Sequence, residues 1–231
     1  YAIVGARYPM IKATDWVRNP EGKIIVDPVT GLPKAGDIVA VGTSDPTVRI
    51  GLNSVMKWKG FSLAATFDYR GGHYTRPSSE YNMLFTGASY ISGISGRQRF
   101  VFPNSVIEET DASGNVTYRE NTDITVNDAG KTFWNGIYKQ GRANQIISAA
   151  SWRLRELSLG YDVPKKYLKK VGFLQRASVS LVGRNLFMWT PSTNIWGDPD
   201  FTGSGNGNVG GFSGTNNVGQ RSYGFNLLLS F

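Results

Sequence analysis

Cysteine is absent from all 231 residues, and histidine occurs once. The first absence removes disulfides, thiolate metal sites and cysteine nucleophiles together. The second rules out a histidine cluster, so neither a metal nor another cofactor is expected. His73 follows Gly71-Gly72 and reads as a solvated loop residue. Charged residues are also sparse, at 18%, which is low for a surface lying wholly in water. No stretch approaches the ~18 apolar residues of a membrane helix, an absence that excludes helical spans only. A barrel strand crosses a bilayer with half its residues polar. No charged-then-apolar targeting segment is present, and any signal peptide is expected before Tyr1. The net charge of +8 raises nucleic acid as a partner. The basic residues are spread along the chain, however, with one dense run at Lys165-Lys166 and Lys169-Lys170. No recognition motif accompanies them, and no nucleic-acid partner is expected.

Glycine (28 residues) and aromatics (13%) are plentiful, as in a β protein with many turns. The organising stretch is the last one, from Arg221 to Phe231. Tyr223, Phe225, Leu227, Leu229 and Phe231 take every second position, and Leu228 is the one apolar residue between them. Side chains alternate faces along a strand, so this is a ribbon with one apolar and one polar face. Its length suits a tilted strand crossing a bilayer, which needs roughly 9–11 residues. A soluble sandwich would show the same alternation with the apolar face turned inward.

The same periodicity recurs upstream. Val48, Ile50, Leu52, Met56 and Trp58 share a face, and after Lys59-Gly60 so do Phe61, Leu63, Ala65, Phe67 and Tyr69, which predicts a hairpin. Trp152 and Leu154 fall out of parity with Leu157, Leu159 and Tyr161, and a bulge at Arg155-Glu156 would restore it. Pro164–Gly172 is a short Lys-rich connection with room for one helical turn. A further strand runs from Ala177 to about Trp189. Residues 17–46, 71–150 and 190–219 are rich in turn formers and read as long excursions, the first with a small hairpin at Lys23–Asp27 and the second with a turn at Asp111–Asn115. In an up-and-down sheet every long excursion then falls on one side and both short turns on the other. Transmembrane barrels have this asymmetry. The expected fold is all-β: an antiparallel transmembrane barrel portion with long external loops. About six spanning strands are expected, fewer than the ~8 of the smallest closed barrels, so the sheet must belong to a longer barrel or close against another chain.

Catalysis has little support. Glu108-Glu109-Asp111 and Asp198-Pro199-Asp200 lie in loop-like sequence, with nothing to hold two carboxylates across a cleft. The literal G-x-G-x-x-G at Gly205–Gly210 has no strand before it and no helix after it. Asn115-Val-Thr117 is a glycosylation sequon by pattern alone. Trp58, Phe61, Tyr161 and Phe231 sit at strand ends and suit an interfacial girdle. Trp134, Trp196, Phe201 and Phe212 lie in the long loops, where they could contact a substrate or a lid protein, or fill small loop cores.

Ser151–Pro164, above all Leu154-Arg-Glu-Leu-Ser-Leu-Gly-Tyr161, resembles a signature of the SusC/RagA family of TonB-dependent outer-membrane transporters. Val182-Gly-Arg-Asn-Leu-Phe187, Lys59-Gly-Phe-Ser-Leu63, Arg99-Phe-Val-Phe-Pro103 and the terminal Phe231 have the family's character and order, over a likeness running from about Gly22 to the end. The resemblance implies that residues 1–231 are the carboxy-terminal part of a 22-stranded barrel whose plug and TonB-box lie outside the chain. It implies import of oligosaccharides or peptides across the outer membrane, without enzymatic activity. The implied partners are a SusD-like surface lipoprotein, TonB, outer-membrane lipid and a glycan or peptide substrate. Tyr223, Phe225, Leu227, Leu229 and Phe231 would form the barrel's assembly signal. A structural or assembly subunit built on the same barrel, and a secreted glycan-binding sandwich, are the competing readings.

Overall fold

The structure is a computed structural model that describes residues 1–169, 172–200, 211–213 and 219–231. The chain divides into two compact units. One comprises Asp45–His73, Ser148–Phe201 and Asn216–Phe231; the other comprises Tyr1–Ser44, Tyr74–Ile147 and Thr202–Thr215.

The first unit is an antiparallel sheet. Its strands are β1 (Val48–Trp58), β2 (Phe61–Gly71), β3 (Ser151–Asp162), β4 (Arg176–Trp189) and β5 (Ser222–Ser230), arranged side by side in chain order. Lys59-Gly60 joins β1 to β2 in the expected tight hairpin, with φ of 46° and 90°. Glycine suits the second position because positive φ costs it nothing, and a Cβ there would also lie 2.9 Å from the Asp162 carbonyl oxygen. The connection from β3 to β4 is short and carries one helical turn, Lys165–Leu168. Both short connections lie at one end of the sheet. Antiparallel geometry puts the long ones, between β2 and β3 and between β4 and β5, at the other.

The bulge is present. Along β2, the partner of β3 moves from Leu154↔Phe67 to Glu156↔Thr66, so Arg155 is the extra residue. Along β4 the partner jumps from Phe187 to Arg184, which leaves Asn185 and Leu186 extra on that side. The offset restores parity: Trp152, Leu154, Leu157, Leu159 and Tyr161 all pair with odd-numbered residues of β2 and share one face.

Among the described residues five strands, not about six, form this sheet. Met10–Trp16 makes a separate antiparallel pair with Ala35–Thr43. The excursion at 17–46 therefore hides a strand whose apolar run, Ile38 to Val41, does not alternate. The hairpin expected at Lys23–Asp27 is corrected in part. Ile24–Val26 is a strand, but its ladder partner is parallel, Ser105–Thr110. All three of its residues are buried, which is how a strand covered on both faces reads. Ser105–Thr110 continues into Val116–Glu120 through the expected turn, closed by Asp111 and Asn115.

This second unit holds the core. Trp16, Ile24, Val26, Phe102, Ile107, Val126 and Phe133 form one buried cluster. A Cβ on Gly141 would fall 2.0 Å from the Trp16 indole, so only glycine allows that packing. Buried Asn121 is satisfied in place: its amide donates to Ser105 Oγ (3.1 Å) and the Ile124 carbonyl, and its side-chain oxygen accepts from Ile124 N–H. In the five sheet strands, by contrast, Leu154 is the only buried large hydrophobic residue.

Candidate functional site on the five-stranded sheet

The register sorts the sheet's side chains into two opposite faces. Ile50, Leu52, Met56 and Trp58 of β1 align with Tyr69, Phe67, Leu63 and Phe61 of β2. These align in turn with Trp152, Leu154, Leu159 and Tyr161, then with Trp189, Phe187, Leu181 and Val179, and finally Phe225 and Leu227 of β5. Apart from buried Leu154 this apolar face is largely uncovered: Leu52 is 56% exposed, Leu181 57% and Phe225 62%. The opposite face carries Arg49, Asn53, Ser62, Thr66, Asp68, Arg153, Ser158, Ser180 and Asn226. A soluble monomer rarely exposes a contiguous apolar patch above a few hundred Å². Here the greasy side of five strands is open.

Aromatic rings gather at both ends of this face. At the short-turn end Phe61 and Tyr161 lie 4.6 Å apart beside Trp58, and Phe231 stacks on Phe173 at 5.9 Å. At the long-loop end Tyr69 and Trp152 are 4.7 Å apart, and Phe187 stacks on Trp189 at 5.9 Å. Strand-end position revealed the first group. In the second, the bulge that the parity break predicts brings Trp152 onto the same face as Phe61 and Leu63. Tyr223, Phe225, Leu227 and Leu229 share the apolar face through their pairing with Gly183, Leu181, Val179 and Ala177. Among the described residues the outer edges of β1 and β5 have no ladder partner.

At the long-loop end a charged network crosses the polar face. Residues 190–200 form a strap that turns on itself through Asn194, whose side chain bonds Trp196 N–H and the Gly197 carbonyl. Arg153, 5% exposed, grips Asp198 through both terminal guanidinium nitrogens, one bond measuring 2.7 Å. Arg155, aimed by the bulge, bridges Asp68 (2.7 Å) and Asp200 (2.8 Å), and Arg70 also reaches Asp200 at 3.3 Å. Burial raises the Asp198 carboxyl, but the hydrogen bonds from Arg153 and the Asp200 amide outweigh it and hold the group below the usual carboxylate range. A glycosidase acid needs the opposite shift. Asp198 and Asp200 are each ion-paired within the strap, a placement their loop-like sequence did not reveal.

His73 is a correction: it is 6% exposed, not solvated. It lies at the end of β2, where its carbonyl accepts from Ala149 N–H, and burial pushes its imidazole below the ordinary value. In the other unit, Glu80 is buried and its carboxyl is pushed up to about 7, with Tyr138 and Arg76 pulling partly back. The Tyr138 hydroxyl donates to it at 2.5 Å. No second carboxylate is paired with it among the described residues.

Of the four loop aromatics, the structure describes the side chains of Trp134 and Trp196, one in each unit. Trp134 packs on Phe133 and Tyr138 at the margin of the buried cluster, at ring distances of 4.8 and 5.2 Å. Its other side lines a cavity of about 480 Å³ with Leu84, Phe85, Arg97 and Lys131. Trp196 is half-buried in the strap of the other unit. Phe201 lies outside the described residues, and for Phe212 the backbone alone is placed, pairing with Arg76.

No protein-family model and no curated protein matches the chain. Solved structures do match. The fold is shared with part of RagAB. A structure of the RagAB peptide transporter aligns with a TM-score of 0.55 and 16% identity over 96% of this chain. The RagAB peptide importer in its "closed-closed" state gives 0.55 and 17% over 95%, and the "open-open" state 0.55 and 18% over 95%. This chain spans 22–23% of the length of the chains it matches. At these identities the likeness concerns the fold: a mostly β chain with antiparallel sheets, similar to a portion of that transporter.

Proposed function

We propose that the chain is a barrel segment of an outer-membrane importer of the SusC/RagA kind, its carboxy-terminal part, with peptides as the substrate class the RagAB likeness favours. The observation that carries this reading is the uncovered apolar face, bounded by aromatic rings at both ends and backed by a polar face. From Phe61 to Tyr69 a strand advances about 26 Å at ~3.3 Å per residue, against the ~25 Å apolar band of outer-membrane barrels. A tilt of ~40° shortens that to a height of about 20 Å and puts both sets of rings at the margins of the band. Water cannot reach strand edges inside a bilayer, so β1 and β5 would pair with further strands and close the barrel.

In this arrangement the long-loop end, with the strap, faces outward, and the short turns face the periplasm. A SusD-like lipoprotein would meet the loops, TonB would act through segments outside this chain, and the polar face would line the lumen. Tyr223, Phe225, Leu227, Leu229 and Phe231 would serve as the assembly signal. The role is transport and not catalysis. Fractionation of cells expressing the full-length protein tests it: the protein should pellet with outer membranes and need detergent to become monodisperse. A monodisperse monomer in detergent-free buffer would overturn the reading.

A further inference from the structure

The charged network carries more positive charge on the strands than the strands can neutralise. Arg70, Arg153 and Arg155 stand on the sheet against one carboxylate, Asp68, and the strap supplies the other two as Asp198 and Asp200. Those two carboxylates are pre-organised. Pro199 between them is buried, and the Asp200 amide donates to Asp198 Oδ1 at 2.9 Å. Beside them lies a cavity of about 330 Å³ bordered by Arg153, Arg155, Phe187 and Arg221. Arg221 lies over the Phe187 ring and has no ion pair among the described residues.

We propose that Arg70, Arg153 and Arg155 form a recognition site for the carboxylates of an acidic peptide, held shut by Asp198-Pro199-Asp200 acting as an internal mimic of that ligand. The proposal rests on the transport reading and names the substrate chemistry of its polar face. Guanidinium groups bind carboxylates through paired hydrogen bonds, the geometry Arg153 already makes with Asp198. A buried arginine left unpaired is strongly destabilising, so the strap departs by exchange and not by simple opening. An incoming carboxylate takes over Arg153 as Asp198 leaves, and the cavity beside the two aspartates is where the exchange begins.

The test uses the full-length protein in detergent, with triglutamate as probe and triglutamine as its uncharged control. The incoming carboxylate must displace Asp198, and each ~1.4 kcal/mol spent on that displacement lowers apparent affinity tenfold. The double variant Asp198→Asn, Asp200→Asn should therefore bind triglutamate roughly tenfold more tightly than the wild type by calorimetry. Adding Arg153→Gln should abolish that binding, and triglutamine should bind neither form. Equal or weaker triglutamate binding by the double variant overturns the proposal. If the double variant fails to assemble, proteolysis of the wild type decides: triglutamate, and not triglutamine, should expose the strap to proteinase K, and unchanged cleavage refutes the mimic. Binding in detergent is read independently of membrane location, so its failure leaves the transport reading standing, whereas a detergent-free soluble monomer would sink that reading by itself.

Discussion

Leu181 sits near the centre of the apolar face, opposite Leu159 on one side and Phe225 on the other, and is 57% exposed. In water, replacing so exposed a leucine with lysine changes stability by about 0.5 kcal/mol or less. In a bilayer the same change places an ammonium near the midplane of the lipid-facing surface, which costs about 2–4 kcal/mol. Snorkelling is of little help, because Phe187 lies six residues beyond Leu181 on its own strand and Phe231 six residues beyond its partner Phe225 on the next. The control is Ser180→Lys, one residue away on the polar face, where the added charge faces the lumen and about 0.5 kcal/mol or less is expected. Urea unfolding of the full-length barrel in lipid vesicles, followed by tryptophan fluorescence, measures both. Leu181→Lys within 0.5 kcal/mol of the wild type, or equal penalties for the two variants, would refute a lipid-facing surface.

Glu80 makes the loop unit sensitive to pH. Its folded pKa of about 7 lies above the ordinary 4.5, so the folded state holds this proton more tightly than the unfolded chain. Its contribution is fully present below pH ~4.5 and lost as the pH rises through 7, a total of about 3 kcal/mol, and Glu80→Gln should flatten that slope in pH-dependent thermal melts. Gly141→Ala drives a methyl into the Trp16 indole and should cost about 1–3 kcal/mol, read as a lower melting temperature of the loop unit. Deleting Phe231 removes the ring stacked on Phe173 and, on the assembly-signal proposal, lowers the amount of protein in outer-membrane fractions by quantitative blotting. Trp196→Ala should leave that amount unchanged. Deleting Arg155 takes out the extra residue, joins Leu154↔Phe67 directly to Glu156↔Thr66 and leaves Trp152 and Leu154 on the apolar face, so folding yield should fall no further than with Arg155→Ala.

The sheet was legible because its strands alternate strictly, and because period two admits one register once a face is fixed. Even the bulge could be read, since the parity break between Leu154 and Leu157 has few other causes. The loop unit was opaque for the complementary reason. Ile24–Val26 is buried on both faces and does not alternate, and its partner at Ser105–Thr110 lies some eighty residues away, beyond any local signal. His73 looked solvated because glycines precede it, while its burial depends on tertiary neighbours. The charged network combined both limits: Asp198-Pro199-Asp200 was visible as an acidic loop, but nothing in its sequence pointed to Arg153 and Arg155 forty-five residues earlier.

Cysteine scanning along β4 tests the central claim most directly, and the absence of native cysteine from this chain makes the segment a clean background. Single cysteines at positions 177 to 183 of the full-length protein, labelled with an environment-sensitive fluorophore in vesicles, can be probed with brominated lipid and with aqueous iodide. The account predicts strict alternation, with positions 177, 179, 181 and 183 quenched by brominated lipid and positions 178, 180 and 182 reached by iodide. Iodide quenching of both sets, with no effect of brominated lipid on either, would contradict it.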